Sequence, residues 1–107
     1  MDALSYRYDL ERDLMADVTI DGQTYEFIHI PTKNTGILII KTPNGFLGCG
    51  YLDVQVANRV GDAAAIVTGV ASAQQMLDAK VVRMSEKAKE LGVLEGMTGL
   101  EAIRLLK

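Results

Sequence analysis

Tryptophan is absent from this chain, and cysteine and histidine occur once each. One cysteine cannot close an internal disulfide. One Cys with one His also lacks the paired ligands at short spacing that a structural zinc site requires, so no metal site is expected. The familiar signatures of nucleotide-binding and hydrolytic enzymes are missing too: there is no GxGxxG, GxxxxGKS/T, GxSxG or HExxH. Long apolar runs are lacking. Gly36–Ile40 and Ala63–Val67 are far too short to span a bilayer, so no membrane partner is expected. The opening residues MDALSYRYDLERD have neither the basic start nor the apolar centre of a secretory signal, which places the chain in the cytoplasm. Eleven Lys and Arg are set against 14 Asp and Glu, interspersed along the sequence for a net charge of −3. With no basic block to neutralise phosphates, no nucleic-acid partner is expected.

What is present suits one globular domain. The chain has 107 residues, 49% of them hydrophobic and 23% charged, which excludes a disordered polymer. Residues 1–16 admit two readings, an exposed strand in which Tyr6, Tyr8 and Leu10 alternate with charge, or a short helix through Leu10, Leu14 and Met15; the extended form is preferred. Val18–Ile20 and Gln23–Ile30 flank Asp21-Gly22, a favoured two-residue hairpin turn. Tyr25, Phe27 and His29 share one face of this hairpin, and Glu26, Ile28 and Ile30 the other. Both faces carry apolar residues, so part of the hairpin is expected to pack on something besides its own core.

The centre of the chain alternates strand and helix. PTKNTG (Pro31–Gly36) reads as a loop, Ile37–Lys41 as a strand covered on both faces, Thr42–Gly45 as a turn, and Phe46–Gly50 as the strand that pairs back. Asp53 caps a helix over Val54–Val60, and Gly61 provides its left-handed stop. Ala63–Thr68 is the next buried strand, and the dozen residues before it suit a right-handed crossover to a strand parallel to 46–50. Ser72 and Gln75 form a capping box for a helix ending near Ala79. Lys80–Met84 reads as a strand and Ser85 as the cap of Glu86–Leu91, with Gly92 as stop; one helix over residues 73–91 is the rival reading. Thr98 and Glu101 box the last helix, where Leu100, Ile103 and Leu106 form a stripe. The fold class is α+β: a small mixed sheet with helices mainly on one side, an amino-terminal β arm over residues 1–35 and a core over 36–107.

Several of these segments occur together in one known family. Lys41-Thr42, Asn44-Gly45-Phe46, Cys49-Gly50-Tyr51-Leu52, Gly61–Ala65, Thr68-Gly69-Val70, Ala79–Val82 and Gly96–Gly99 are similar, in order, to the YunC-like domain family of bacteria and archaea. The resemblance covers roughly residues 17–107. It implies an α+β fold whose amino-terminal β region serves in tetramer assembly, and it implies no reaction and no cofactor.

Candidate site residues follow from topology. Ligands of sheets with parallel crossovers collect beyond the carboxyl ends of the strands. Here those ends are Cys49-Gly50-Tyr51, Thr68-Gly69-Val70 and Ser85, with the helix starts at Asp53 and Ser72 close by. Cys49 beside a helix start is a candidate nucleophile; the alternative, a small buried residue between two glycines, is favoured. Asp62 is a candidate general base or ligand contact, or else a polar mark of the strand start. Thr68 and Gly69, with Gly50 and Tyr51, are candidate ligand contacts. His29 suits an interface or core position, and a Cys49–His29 dyad requires the two elements to meet. Three readings remain: a homo-oligomeric module, a homo-tetramer or other closed assembly, that binds a small metabolite or a partner; an enzyme using Cys49; and an accessory protein docking through its β arm. The absence of a base–nucleophile motif favours the first.

Overall fold

The computed structural model describes residues 15–107, so the extended reading of residues 1–16 lies, except for its last two positions, outside the described residues. The hairpin forms where Asp-Gly predicts it. β1 (Met15–Ile20) and β2 (Gln23–Pro31) pair antiparallel, with Val18 opposite Tyr25. Asp21 and Gly22 have φ of 53° and 79°, both positive, as the primed turns that match strand twist require. β3 (Gly36–Thr42) returns along β2, and β4 (Gly45–Gly48) returns along β3.

The crossover follows as the sequence predicts. Helix α1 (Val54–Val60) leads to β5 (Ala63–Ile66), which lies parallel to β4 with Gly48 opposite Ile66. Asp53 Oδ1 accepts the Gln55 N–H at 2.9 Å, and Gly61 closes the helix at φ 83°. Helix α2 (Ala73–Asp78) starts at Ser72, whose side chain accepts the Gln75 N–H, but the capping box is incomplete. The Gln75 side chain reaches one residue further back and accepts from the Ala71 N–H at 2.7 Å.

The segment expected as a strand over 80–84 is shorter. Only β6 (Arg83–Met84) joins the sheet, antiparallel to β5. Val81 instead exchanges hydrogen bonds with Met97 and Gly96 in the loop before the last helix, while the Val82 N–H donates to the Ile66 carbonyl at the end of β5. The single helix over 73–91 is excluded. Ser85 caps α3 (Glu86–Glu90), and a complete Thr98–Glu101 box starts α4 (Gly99–Leu106). The result is an α+β fold, a six-stranded mixed sheet in the order β1-β2-β3-β4-β5-β6 with four helices among the described residues.

Packing follows strand alternation. Leu38, Ile40, Leu47, Ala63, Ala65 and Val67 point to one face and join Met76, Ala102, Ile103 and Leu106 in one buried cluster. Ala102 thus takes a core place in the α4 stripe, and Leu100 is only half-buried. The glycine and alanines of β4, β5 and α4 let helix and sheet approach closely; β4 and β5 bear α4 on this face, while Leu52, leading into α1, meets Phe46 and Gly48 on the other. The hairpin is no separate appendage, because Ile20 and Tyr25 belong to the same cluster. The β3–β4 turn also closes the end of α4: the Thr42 hydroxyl donates to the Leu106 carbonyl at 2.9 Å, and Asn44 Nδ2 donates to the Lys107 carbonyl at 2.8 Å.

Arg104 on α4 reaches the hairpin turn, with Nε and a terminal nitrogen 2.8 and 3.1 Å from the two Asp21 carboxylate oxygens. This hydrogen bonding, with the positive charge behind it, holds the Asp21 carboxyl below its ordinary value; the Thr98 N–H and hydroxyl do the same for Glu101. A lowered folded-state pKa stabilises above the unfolded value and is lost as pH falls through the folded one. Both groups are solvent-exposed, so the expected contribution is small and salt-screened. Carboxyl-detected NMR titration should place both below free Asp and Glu, and Arg104→Ala should return Asp21, but not Glu101, most of the way to the ordinary value.

Candidate functional site

β4 and β5 are parallel and β3 is antiparallel to β4, so three chain segments meet at one end of the sheet. They are the turn after β4, the turn after β5 and the residues entering β3. Between them lies an open cleft of about 430 Å³ lined by Thr35, Gly36, Cys49–Tyr51 and Thr68–Ala71. Four of the expected ligand contacts, Gly50, Tyr51, Thr68 and Gly69, are therefore brought together with Cys49. Tyr51 is exposed at the mouth, Val70 is buried in the wall, and Gly69 turns the chain at φ 71°.

Cys49 is built into this wall. The chain bends away after Gly48, and the Cys49 carbonyl accepts from the Leu52 N–H at 3.1 Å instead of from β3. The Leu38 N–H, which a continued ladder would give to that carbonyl, donates to the Cys49 sulfur at 3.3 Å. The thiol in turn points at the Gly36 carbonyl at 3.9 Å, and Cys49 is 4% exposed. The side chain thus extends the β3–β4 pairing by one position. Cys49→Ala should leave the Leu38 N–H buried without a partner and lose about 1–3 kcal/mol in denaturant unfolding. Alkylation of the native protein should be slow and should accelerate sharply on unfolding; rapid labelling of a fully stable protein would contradict this.

Three expected members lie elsewhere. Asp62 precedes β5, at the end of the sheet opposite Thr68, and lines a different cleft with Phe46, Leu52 and Val60. Ser85 does not end a strand at this site, because β6 runs antiparallel to β5 and its carboxyl end points the other way. Fully buried, Ser85 donates to the Asp62 carbonyl at 2.8 Å and accepts the Ala64 N–H at 2.9 Å. Asp53 also faces the Asp62 cleft, so α1 does not start against the Cys49 thiol. Both α1 and α2 are less than two full turns long.

His29 comes nearer than its sequence position suggests. It stands opposite Leu38 across β2–β3, beside Gly36, and packs near Phe27 with ring centres 6.2 Å apart. His29 and Cys49 therefore flank β3 from its two neighbouring strands, and no hydrogen bond joins them among the described residues. Thr35, Gly36 and Ala71 were not singled out from sequence. The hairpin register could have found the first two, since the amino end of β3 must lie beside the carboxyl end of an antiparallel β4. Among the described residues no group of three or more His, Cys, Asp or Glu side chains is placed to hold a metal ion, and no helix is long and apolar enough to cross a membrane.

Comparison with known proteins gives three matches of one kind. A family model described as a domain of unknown function, DUF1805, matches residues 48–106. The chain is 29% identical over 93 residues to the uncharacterized protein YunC of Bacillus subtilis strain 168, covering 83% of this chain and 92% of the relative. Among solved structures it is similar to a protein of unknown function, TA1206, from Thermoplasma acidophilum, with a TM-score of 0.82 and 35% identity over 87% of this chain and 91% of that one.

Proposed function

The chain belongs to the YunC-like family of DUF1805 domains, described as of unknown function, and we propose that it is a cytoplasmic, homo-oligomeric module binding a small molecule in the cleft beyond β4 and β5. The observation that carries this reading is the lining of that cleft. It combines exposed hydroxyls, backbone amides and one exposed aromatic ring, with no charged side chain and no acid–base pair. The enzyme reading has one observation in its favour, Cys49 in the cleft wall with His29 one strand away. It is weaker because the thiol is engaged with the β3 backbone and no base lines the cleft.

Assembly through the arm is the second part of the proposal. The sheet face opposite Leu38 and Ile40 carries Ile28 and Ile30 on β2, with Ile39 of β3 opposite Ile28, and Ile30 is 40% exposed, whereas Ile37 packs against the core cluster. Glu26 stands opposite Lys41 on that same face, so a second copy related by a two-fold axis would meet apolar residues with one pair of opposite charges at their end. A tetramer or other closed oligomer joined here would bury these isoleucines.

Two measurements test the proposal. A fragment and metabolite screen read by amide NMR should shift the Gly50, Tyr51 and Gly69 signals together, and Tyr51→Ala should weaken those hits. Hits confined to the Asp62 cleft would sink the ligand site. Sedimentation should show an oligomer for the full chain and a smaller species for Ile30→Glu; a native chain that is monomeric at high concentration would rule out the assembly.

A further inference from the structure

The turn between β3 and β4 fastens the end of α4, and two separate demands meet in its residues. Asn44 Nδ2 donates to the Lys107 carbonyl at 2.8 Å and the Asn44 N–H to the Leu106 carbonyl at 3.2 Å, so one asparagine serves two carbonyls that the helix end leaves free. The next residue has to be glycine. Gly45 lies opposite Ala63 in the parallel β4–β5 pair, and a Cβ there would fall on the Ala63 carbonyl oxygen. Fastening the helix and closing the sheet thus place asparagine directly before glycine. No other Asn-Gly step occurs in the chain, since Asn34 and Asn58 precede Thr35 and Arg59. Asn44 is also exposed, so water reaches it. An asparagine followed by glycine is chemically labile, because glycine has no side chain to shield its nitrogen and lets the backbone bend.

We infer that Asn44 is a site of spontaneous deamidation, and that the reaction unfastens α4 from the β3–β4 turn. The Gly45 nitrogen attacks Asn44 Cγ. A C–N bond forms, the Cγ–Nδ2 bond breaks, and ammonia leaves with the proton of the Gly45 amide. Water then opens the five-membered imide at one carbonyl or the other, giving aspartate or isoaspartate. Aspartate loses the donor to the Lys107 carbonyl and sets a negative charge at the carboxyl end of α4, where the helix dipole is already negative. Isoaspartate also adds a methylene to the main chain of a two-residue turn. The fold slows the reaction: the carboxamide is engaged with Lys107, and closing the ring fixes a torsion within a turn that the Thr42–Gly45 pairing already sets.

The test is peptide mapping of the full chain aged at mildly alkaline pH and body temperature, native and in concentrated urea. Conversion to aspartate and isoaspartate should occur at Asn44 ahead of Asn34 and Asn58, and should run on the order of tenfold or more faster in urea, where nothing holds the turn. Asn44→Asp should unfold at a lower urea midpoint than Asn44→Ala at neutral pH, because alanine removes the donor without adding charge. The two midpoints should converge as falling pH protonates the carboxyl. The aged native chain, separated by its added negative charge, should unfold earlier than the unreacted chain, which gives the same readout without a variant that must fold. No conversion at Asn44 in urea would overturn the modification site, and equal rates in both states would overturn the protection by the fold. An aged chain as stable as the unreacted one would overturn the unfastening.

Discussion

Gly99→Ala is expected to lower stability by about 3 kcal/mol or more, at or beyond the upper end of ordinary overpacking. A Cβ at Gly99 would fall on the Met76 carbonyl oxygen and would stand 2.9 Å from Leu47 Cδ2. Leu47 can swing aside. Met76 cannot, because its carbonyl belongs to the α2 backbone and its side chain is fully buried beneath the sheet. Relief therefore requires α2 and α4 to separate, which opens the core that both helices cover. Alanine is the better helix former by about 1 kcal/mol, so propensity alone predicts the opposite sign. Chemical denaturation of the two proteins decides between them. A stability gain would show that the helices are not held in contact here, whereas a loss that Leu47→Ala fails to rescue would identify the carbonyl as the obstacle.

Leu47→Ala is the second large effect, at about 2–5 kcal/mol, with the upper half expected. Leu47 is fully buried in the middle of β4, flanked on the same sheet face by Ile40 and Ala65 and roofed by Gly99 of α4. Two of those neighbours have almost no side chain with which to fill a void, so collapse around the missing atoms is limited. With marginal total stability typical of a domain this size, such a loss should leave the variant partly unfolded near body temperature. Urea midpoints with an unchanged slope would give the value directly. A loss under about 1 kcal/mol would mean that α4 settles onto β4.

The local chemistry of the chain was legible in its residues. Asp21-Gly22 dictated a primed turn, Asp53, Ser85 and Thr98 dictated helix starts, and Gly61 dictated a stop, because each depends on backbone dihedrals and hydrogen bonds within a few positions. The parallel pairing of β4 and β5 followed from connection length, and with it the gathering of Cys49, Gly50, Tyr51, Thr68 and Gly69 at one sheet end. The family likeness, now shown, rested on those same segments.

What only the tertiary structure decided were the relations between segments distant in sequence. Ser85 was misplaced because β6 pairs antiparallel with β5, and the direction of that pairing is set across the sheet rather than by residues near Ser85 in the chain. Asp62 left the site because it precedes β5 whereas Thr68 follows it, so the strand's length separates them. The Gln75 side chain chose Ala71 over Ser72, a matter of loop shape that the capping pattern does not encode. Cys49 drew its character from Leu38 and Gly36, whose free N–H and carbonyl exist only because the chain bends after Gly48. Propensity and capping act over one turn of chain, so the sequence determined the elements. Direction, burial and the company of each side chain depend on which elements pack together, so they were settled only when the sheet and its helices closed around Leu47 and Met76.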